Sequence, residues 1–250
     1  MAGIVEAFAP GLFAGKSVLV TGGTSGIGLG AAVAFRDLGG SVLATGATDA
    51  ECERARADAA NAGIAFACLD VRDGPAVEAA VAGLPRLDVL VNAAGTIRRD
   101  LEHDPDNFAD VIAINLTGAM RACAAAKTKL AETQGSVVNL ASMLTFFGGP
   151  RVPAYSASKG GIGQLTKSLA AAWAGEGIRV NAIAPGWIAT PLTEALRQDA
   201  EKSAPILART PMGRWGTPEE VAGGIVFLAS PAARFVTGAI LAVDGGYLAV

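Results

Sequence analysis

Two side chains able to exchange a proton stand four positions apart in the stretch VPAYSASKGG, residues 152 to 161: Tyr155 and Lys159. On a helix, positions i and i+4 share a face, which would make the phenol and the ammonium neighbours. A free phenol has a pKa of about 10, and a cation beside it favours the phenolate and moves that value toward neutrality. The pair predicts a proton donor whose acidity is set by Lys159. An ordinary surface pair can share the spacing, so the surrounding elements decide between the two.

A second stretch, TGGTSGIG from Thr21 to Gly28, lies between an apolar run and the helical pattern LGAAVAFRDLGG. Glycines at 22, 26 and 28 let the backbone turn sharply and approach a ligand, while the following helix presents free N–H groups and the positive end of its dipole. The spacing G-x-x-x-G-x-G departs from the G-x-G-x-x-G fingerprint, yet the strand before and the helix after mark a pyrophosphate site. Gly22, Thr24, Ser25, Ile27 and Gly28 are its candidate residues.

At the end of the second strand, TGATDAE places Gly46 and Ala47 at the discriminating turn. An acid there would bind a ribose 2'-hydroxyl and a base a 2'-phosphate. Neither sign of charge is present, and Ser25 stands where a base in the glycine turn could reach a phosphate. Burying a doubly charged phosphate without a cation is costly, so NAD is expected over NADP.

The elements that must position these residues follow from the pattern. Short β-rich runs recur at 17–20, 41–45, 64–69, 87–91, 136–140, 178–183 and 239–243, several apolar at consecutive positions. Strands covered on both faces read this way, and strands alternating with helix-length segments imply right-handed βαβ units in a parallel sheet. Ile162, Leu165, Leu169 and Trp173 recur at helical intervals and predict a buried stripe on the helix that begins near Tyr155. The interval 190–217 has no strand of its own and is expected to cover the site as a helical insertion within a single domain spanning 1–250.

Composition agrees with a compact α/β domain. The chain has 250 residues, 51% hydrophobic, with 32 glycines and a formal net charge of -3. No basic run offers a nucleic-acid surface. The opening MAGIVEAFAPGLFAGK lacks a basic start and carries Glu6, which disfavours a secretory signal, and no apolar run reaches the roughly 18 residues of a membrane span. Cys52, Cys68 and Cys123 show no CxxC pairing and suit a reducing compartment, by default the cytoplasm. No metal-ligand cluster stands out, and DGG at 244–246 reads as a turn.

Taken in order, TGGTSGIG, Asp70-Val71, NAAG at 92–95, IAINLTG around Asn115, Ser142 in NLASM, Tyr155 and Lys159, and NAIAPGWIATP from Asn181 resemble the short-chain dehydrogenase/reductase family. The resemblance implies a Rossmann-like doubly wound fold with a seven-stranded parallel sheet, and a catalytic tetrad of Asn115, Ser142, Tyr155 and Lys159. It implies that Tyr155 exchanges the substrate proton, Lys159 lowers the Tyr155 pKa and binds the nicotinamide ribose, Ser142 orients the reacting oxygen, and Asn115 holds a water linking Lys159 to solvent. Asp70 and Val71 would meet the adenine, and Asn92, Ala93 and Gly95 its ribose side. Ile188 and Thr190, after the cofactor-binding turn of Pro185 and Gly186, would hold the carboxamide. A homotetramer is implied as well, with the C-terminal YLAV in subunit contacts.

Three further stretches, GTIRRD, ASMLTFFGGPRVPAYSASKGG and GRWGTPEEVAGGIVFLAS, resemble the branch of 2-deoxy-gluconate 3-dehydrogenases and gluconate 5-dehydrogenases. Arg151, four residues before Tyr155, could bind a substrate carboxylate in bidentate fashion, and Arg98 is a second candidate. The expected reaction is hydride transfer between a nicotinamide cofactor and a secondary alcohol or ketone of a sugar or hydroxy acid. Alternatives are a 3-oxoacyl thioester reductase and a non-catalytic nucleotide-binding protein.

Overall fold

The computed structural model describes residues 4–250; Met1 to Gly3, the start of the stretch weighed as a signal, lie outside the described residues. Seven strands form one parallel sheet: β1 Ser17–Thr21, β2 Ser41–Gly46, β3 Ala65–Cys68, β4 Val89–Asn92, β5 Ser136–Leu140, β6 Arg179–Pro185 and β7 Ile240–Val243. Their order is β3-β2-β1-β4-β5-β6-β7, so the winding reverses between β1 and β4. Each strand coincides with a β-rich run of the sequence to within about two residues.

Helices cover both faces. α1 Gly26–Asp37, α2 Asp49–Ala57 and a helix near the C-terminus pack Phe35, Cys52 and Ile225 on one side. α3 Gly74–Ala82, α5 Ala119–Thr133 and α6 Pro153–Trp173 pack Val77, Leu130 and Trp173 on the other. On α6, Ile162, Leu169 and Trp173 are buried and Leu165 is partly so, which is the stripe the periodicity predicts. Two apolar faces per strand explain why β4 and β5 are buried at every position.

α4 Pro105–Ile112 runs into α5 through a π-helical turn, Ala113–Gly118, giving one helix from Pro105 to Thr133. Contrary to the sequence expectation, it is by length and composition long and apolar enough to cross a membrane. α4 packs on α6 and α5 on α3, as in the core helix of a compact sheet protein, though only 33% of its apolar window is buried. The stretch 190–217 folds as a 3-10 turn at Pro191–Thr193, then α7 Glu194–Gln198 and α8 Ala200–Arg209, with α9 Pro218–Ala229 following. The insertion is thus helical, as expected, in two pieces: Asp199 caps α8, accepting a hydrogen bond from the Lys202 N–H.

Candidate active site

The C-terminal ends of β1, β4, β5 and β6 open into a cavity of about 590 Å³ at the point where the strand order reverses. Ligands of open α/β sheets bind in this crevice. Its floor at one end is the glycine turn. Gly22 has φ of 66° and a Cβ there would lie 2.5 Å from Ala94 Cα, while a Cβ on Gly28 would lie 2.2 Å from the Gly22 carbonyl oxygen. Side chains are excluded, so the backbone itself forms the surface. Ser25 is the N-cap of α1 but makes no side-chain cap, leaving the first N–H groups of that helix for an anion. This cradle fits a dinucleotide pyrophosphate.

Thr24, Ser25, Ile27, Asp70, Val71, Ala93, Gly95, Pro185, Gly186, Ile188 and Thr190 line the same cavity, together with Ser142, Tyr155 and Lys159. Asn92 does not. It is buried in β4, where its amide donates to Asn139 Oδ1 at 2.8 Å and Cys123 Sγ at 3.2 Å, so its side chain is held against β5 and α5 rather than in the cavity.

The sequence reading of a charge-free adenine end also needs correction. Gly46 is bare because a Cβ there would lie 2.7 Å from Thr24 Cγ2, but Glu51 and Arg72 both line this end of the cavity. Glu51 arrives through a capping box on α2, its Oε2 accepting the Ala47 N–H at 2.8 Å. Arg72 is chelated by Asp70 and donates to Asp110 Oδ1 at 2.7 Å. That guanidinium holds the Asp70 carboxyl below its usual range.

At the other end, Ser142 lies two residues past β5 and caps the turn Met143–Thr145 through the Leu144 N–H. Lys159 is buried, lies 5.5 Å from the centroid of the Tyr155 ring, and donates from Nζ to the Leu140 carbonyl at 2.5 Å. Helical spacing does bring the pair together. The predicted electrostatics differ, however. Burial comes first in holding the Tyr155 phenol above its ordinary value; proximity to the Ser142 hydroxyl opposes the rise, and the Glu102 carboxylate adds to it. Burial also brings Lys159 down to about 8, so its ammonium is still charged at neutral pH but is lost as pH rises through that value.

Asn115 lies within the π-helical turn and is 1% exposed. Its Oδ1 accepts the Thr96 N–H at 2.8 Å, and its amide donates to the Thr96 carbonyl at 2.9 Å and to Ser158 Oγ at 3.1 Å. These bonds tie the loop after β4 to α6, and Oδ1, which accepts one bond, keeps a second lone pair. Gly161 serves a close approach, since a Cβ would meet Leu116 Cδ2 at 2.7 Å, whereas Gly160 faces open space.

Neither candidate arginine lines the cavity. Arg98 pairs with Asp110 and donates to Asn107 Oδ1 at 2.7 Å; Arg151 forms a fork with Asp100 at the surface. Both guanidinium groups are already matched by carboxylates of the protein. Arg99, which does not line this cavity either, is half-buried and makes no hydrogen bond or ion pair among the described residues, and burial pulls its pKa down. The sequence reading passed over it, as it did Glu102.

A glycine-walled anion cradle at a sheet switch point, facing a hydroxyl, a phenol and a buried ammonium, defines a nucleotide-dependent oxidoreductase of the Rossmann type. A family model described as enoyl-(acyl carrier protein) reductase matches residues 22–248. The chain is 44% identical over 247 residues to 2-dehydro-3-deoxy-D-gluconate 5-dehydrogenase of Pseudoalteromonas atlantica, covering 94% of this chain and 96% of that one. It is 43% identical to galactitol 2-dehydrogenase (L-tagatose-forming) of Cereibacter sphaeroides, covering 93% and 95%. The crystal structure of a gluconate 5-dehydrogenase from Burkholderia cenocepacia J2315 in complex with NADP and tartrate matches with a TM-score of 0.87 at 33% identity, over 95% of this chain and 97% of that one. The chain belongs to the short-chain dehydrogenase/reductase family and is an oxidoreductase.

Proposed function

We propose that the protein interconverts a secondary alcohol and a ketone on a sugar acid or hydroxy acid, with Tyr155 carrying the proton. The convergence of Ser142, Tyr155 and Lys159 beside the glycine cradle carries this reading. A bound nicotinamide cofactor would take or give the hydride. Ser142 holds the reacting oxygen by a hydrogen bond, Tyr155 passes the proton, Lys159 binds the nicotinamide ribose, and Asn115 keeps the loop after β4 and α6 in register. Asp70 and Val71 meet the adenine, and Ile188 and Thr190, after the turn of Pro185 and Gly186, the carboxamide.

Arg99 is the guanidinium we assign to the substrate carboxylate, because Arg98 and Arg151 already hold Asp110 and Asp100. Segment 190–217 acts as the cover. Leu192 and Thr193 line the cavity, and Trp215 Nε1 donates to Ser203 Oγ at 3.0 Å, tying the segment's end to α8.

For the cofactor we favour NAD. Glu51 puts a carboxylate at the adenine end, and Arg72 is occupied by Asp70 and Asp110. The NADP in the Burkholderia cenocepacia structure argues for the other choice. A homotetramer is the assembly the family resemblance implies, with Met120 an exposed apolar side chain on the helix from Pro105 to Thr133, and the three free cysteines suit the cytoplasm.

Nicotinamide absorbance with NAD and NADP, against sugar acids, neutral polyols and 3-hydroxyacyl thioesters, tests the reading with Tyr155→Phe as the blank. Oxidation of acids is the expected result. Turnover of thioesters alone would move the protein to the 3-oxoacyl thioester reductase reading, the activity named for a relative from Thermotoga maritima that is 37% identical. Cofactor binding without any turnover, in the parent as in Tyr155→Phe, would favour a non-catalytic protein.

A further inference from the structure

Glu102 has no part in the tetrad, yet it is among the largest fully buried side chains of the chain, at 1% exposure. It forms no ion pair among the described residues, and its two oxygens are spent on backbone. Oε1 accepts the Arg98 N–H at 2.8 Å and Oε2 accepts the Tyr155 N–H at 2.8 Å. Tyr155 is the third residue of α6, whose N-cap, Val152, offers no side-chain cap and whose first turn contains no acidic residue. The N–H of Tyr155 is therefore one of the orphan donors of a helix start, and a carboxylate 53 positions away satisfies it. A negative charge also suits the positive end of that helix.

The segment around Glu102 is fastened to the approach of α6 at further points. The Asp100 N–H donates to the Arg151 carbonyl at 2.9 Å, and His103 Nε2 lies 3.0 Å from the Pro150 carbonyl. Asp100 adopts a left-handed φ of 69°, and its side chain pairs with Arg151. Such strain in a non-glycine residue persists only where surrounding contacts over-determine it.

We propose that Glu102 is a positioning residue of the reaction: its buried carboxylate fixes the first turn of α6 and hence the placement of the Tyr155 hydroxyl, and its charge acts on that hydroxyl. The inference rests on the reading of Tyr155 as the proton carrier. Around the phenol stand Ser142 from just past β5, Lys159 from α6 and Glu102 from the segment after β4; Arg99, Asp100, His103 and Arg151 lie around that segment. Of these, Glu102 and burial favour the protonated phenol and Ser142 favours the phenolate.

The chain has only two tyrosines, so a Tyr247→Phe background leaves Tyr155 alone to be followed by phenolate absorbance as pH rises. Glu102→Gln keeps the size of the side chain and removes its charge. In that variant the phenolate should appear at lower pH, and the acidic limb of the alcohol-oxidation profile should move the same way. kcat should fall by about ten- to a hundredfold, with cofactor affinity by fluorescence unchanged. Glu102→Asp, which keeps the charge on a shorter arm, should restore the titration more than the rate. If Glu102→Gln is folded by circular dichroism and leaves titration, profile and kcat at parent values, the inference is overturned. A pH step that survives in Tyr155→Phe would instead overturn the assignment of Tyr155. Should Glu102→Gln fail to fold, the titration of Glu102→Asp decides, and a midpoint lowered as if the charge were absent counts against the proposal.

Discussion

The two ends of the cavity are built from different materials. At the nucleotide end, Gly22 and Gly28 admit no side chain, and the surface is backbone N–H and carbonyl groups set by the β1–α1 turn. At the substrate end, the surroundings are set by side chains that reach across the chain: Glu102 to Tyr155, Arg151 to Asp100, Asn115 to Thr96 and Ser158. A backbone site tolerates no added atom but depends little on distant residues. A side-chain site is adjustable, and its chemistry depends on pairings made far away in sequence.

That contrast can be broken most decisively at Tyr155. Tyr155→Phe should lower kcat by about 10²- to 10⁴-fold, the range for loss of a general acid-base, while cofactor affinity measured by fluorescence stays near the parent value. Cofactor binding lost together with turnover would mean that the two ends are not separable. The reverse experiment is Gly22→Ala, in which a Cβ would meet the Ala94 backbone at 2.5 Å at a φ of 66°. Nucleotide affinity should fall by at least about tenfold, and stability by roughly 1–3 kcal/mol, from overpacking and left-handed strain. An alanine that binds the nucleotide normally would show that the turn can move.

Lys159 sharpens the comparison because it belongs to both ends. Burial brings its pKa down to about 8 from an ordinary value of 10.5, so the unfolded chain binds more protons between those values. The buried charge therefore opposes folding fully below about pH 8, and this penalty fades as pH rises toward the unfolded value. Lys159→Met should melt higher than the parent at pH 7, with the gap narrowing above pH 8, while its activity collapses. A gap independent of pH would place the effect in packing or in the lost bond to Leu140.

The same division governs what could be read from the sequence. All seven strands announced themselves as apolar runs because burial on both faces leaves no choice of residue, and β5 was delimited to the residue. TGGTSGIG and Tyr155/Lys159 were visible because each acts within one turn of backbone. Glu102 and Arg99 were hidden in a polar stretch that looks solvated, since only folding brings residue 102 against residue 155. The pairing of Arg98 and Arg151 was hidden for the same reason: their partners, Asp110 and Asp100, have no sequence signature. Glu51 could have been found, because Thr48-x-x-Glu51 is a capping box that returns the carboxylate to the end of β2.

The smallest expected effect separates the arginines. Arg98→Ala and Arg151→Ala remove guanidinium groups that are roughly half exposed and already paired, so melting temperature and the Michaelis constants for acids and neutral polyols should stay close to the parent. Arg99→Ala should raise the Michaelis constant for acids alone, by about tenfold or more for a charge-assisted pair, with neutral polyols unaffected. If Arg151→Ala produced that selective rise instead, the Asp100–Arg151 fork would have to open when substrate arrives. The left-handed φ at Asp100 would then belong to a movable latch, and the substrate end would be still less fixed than its hydrogen bonds indicate.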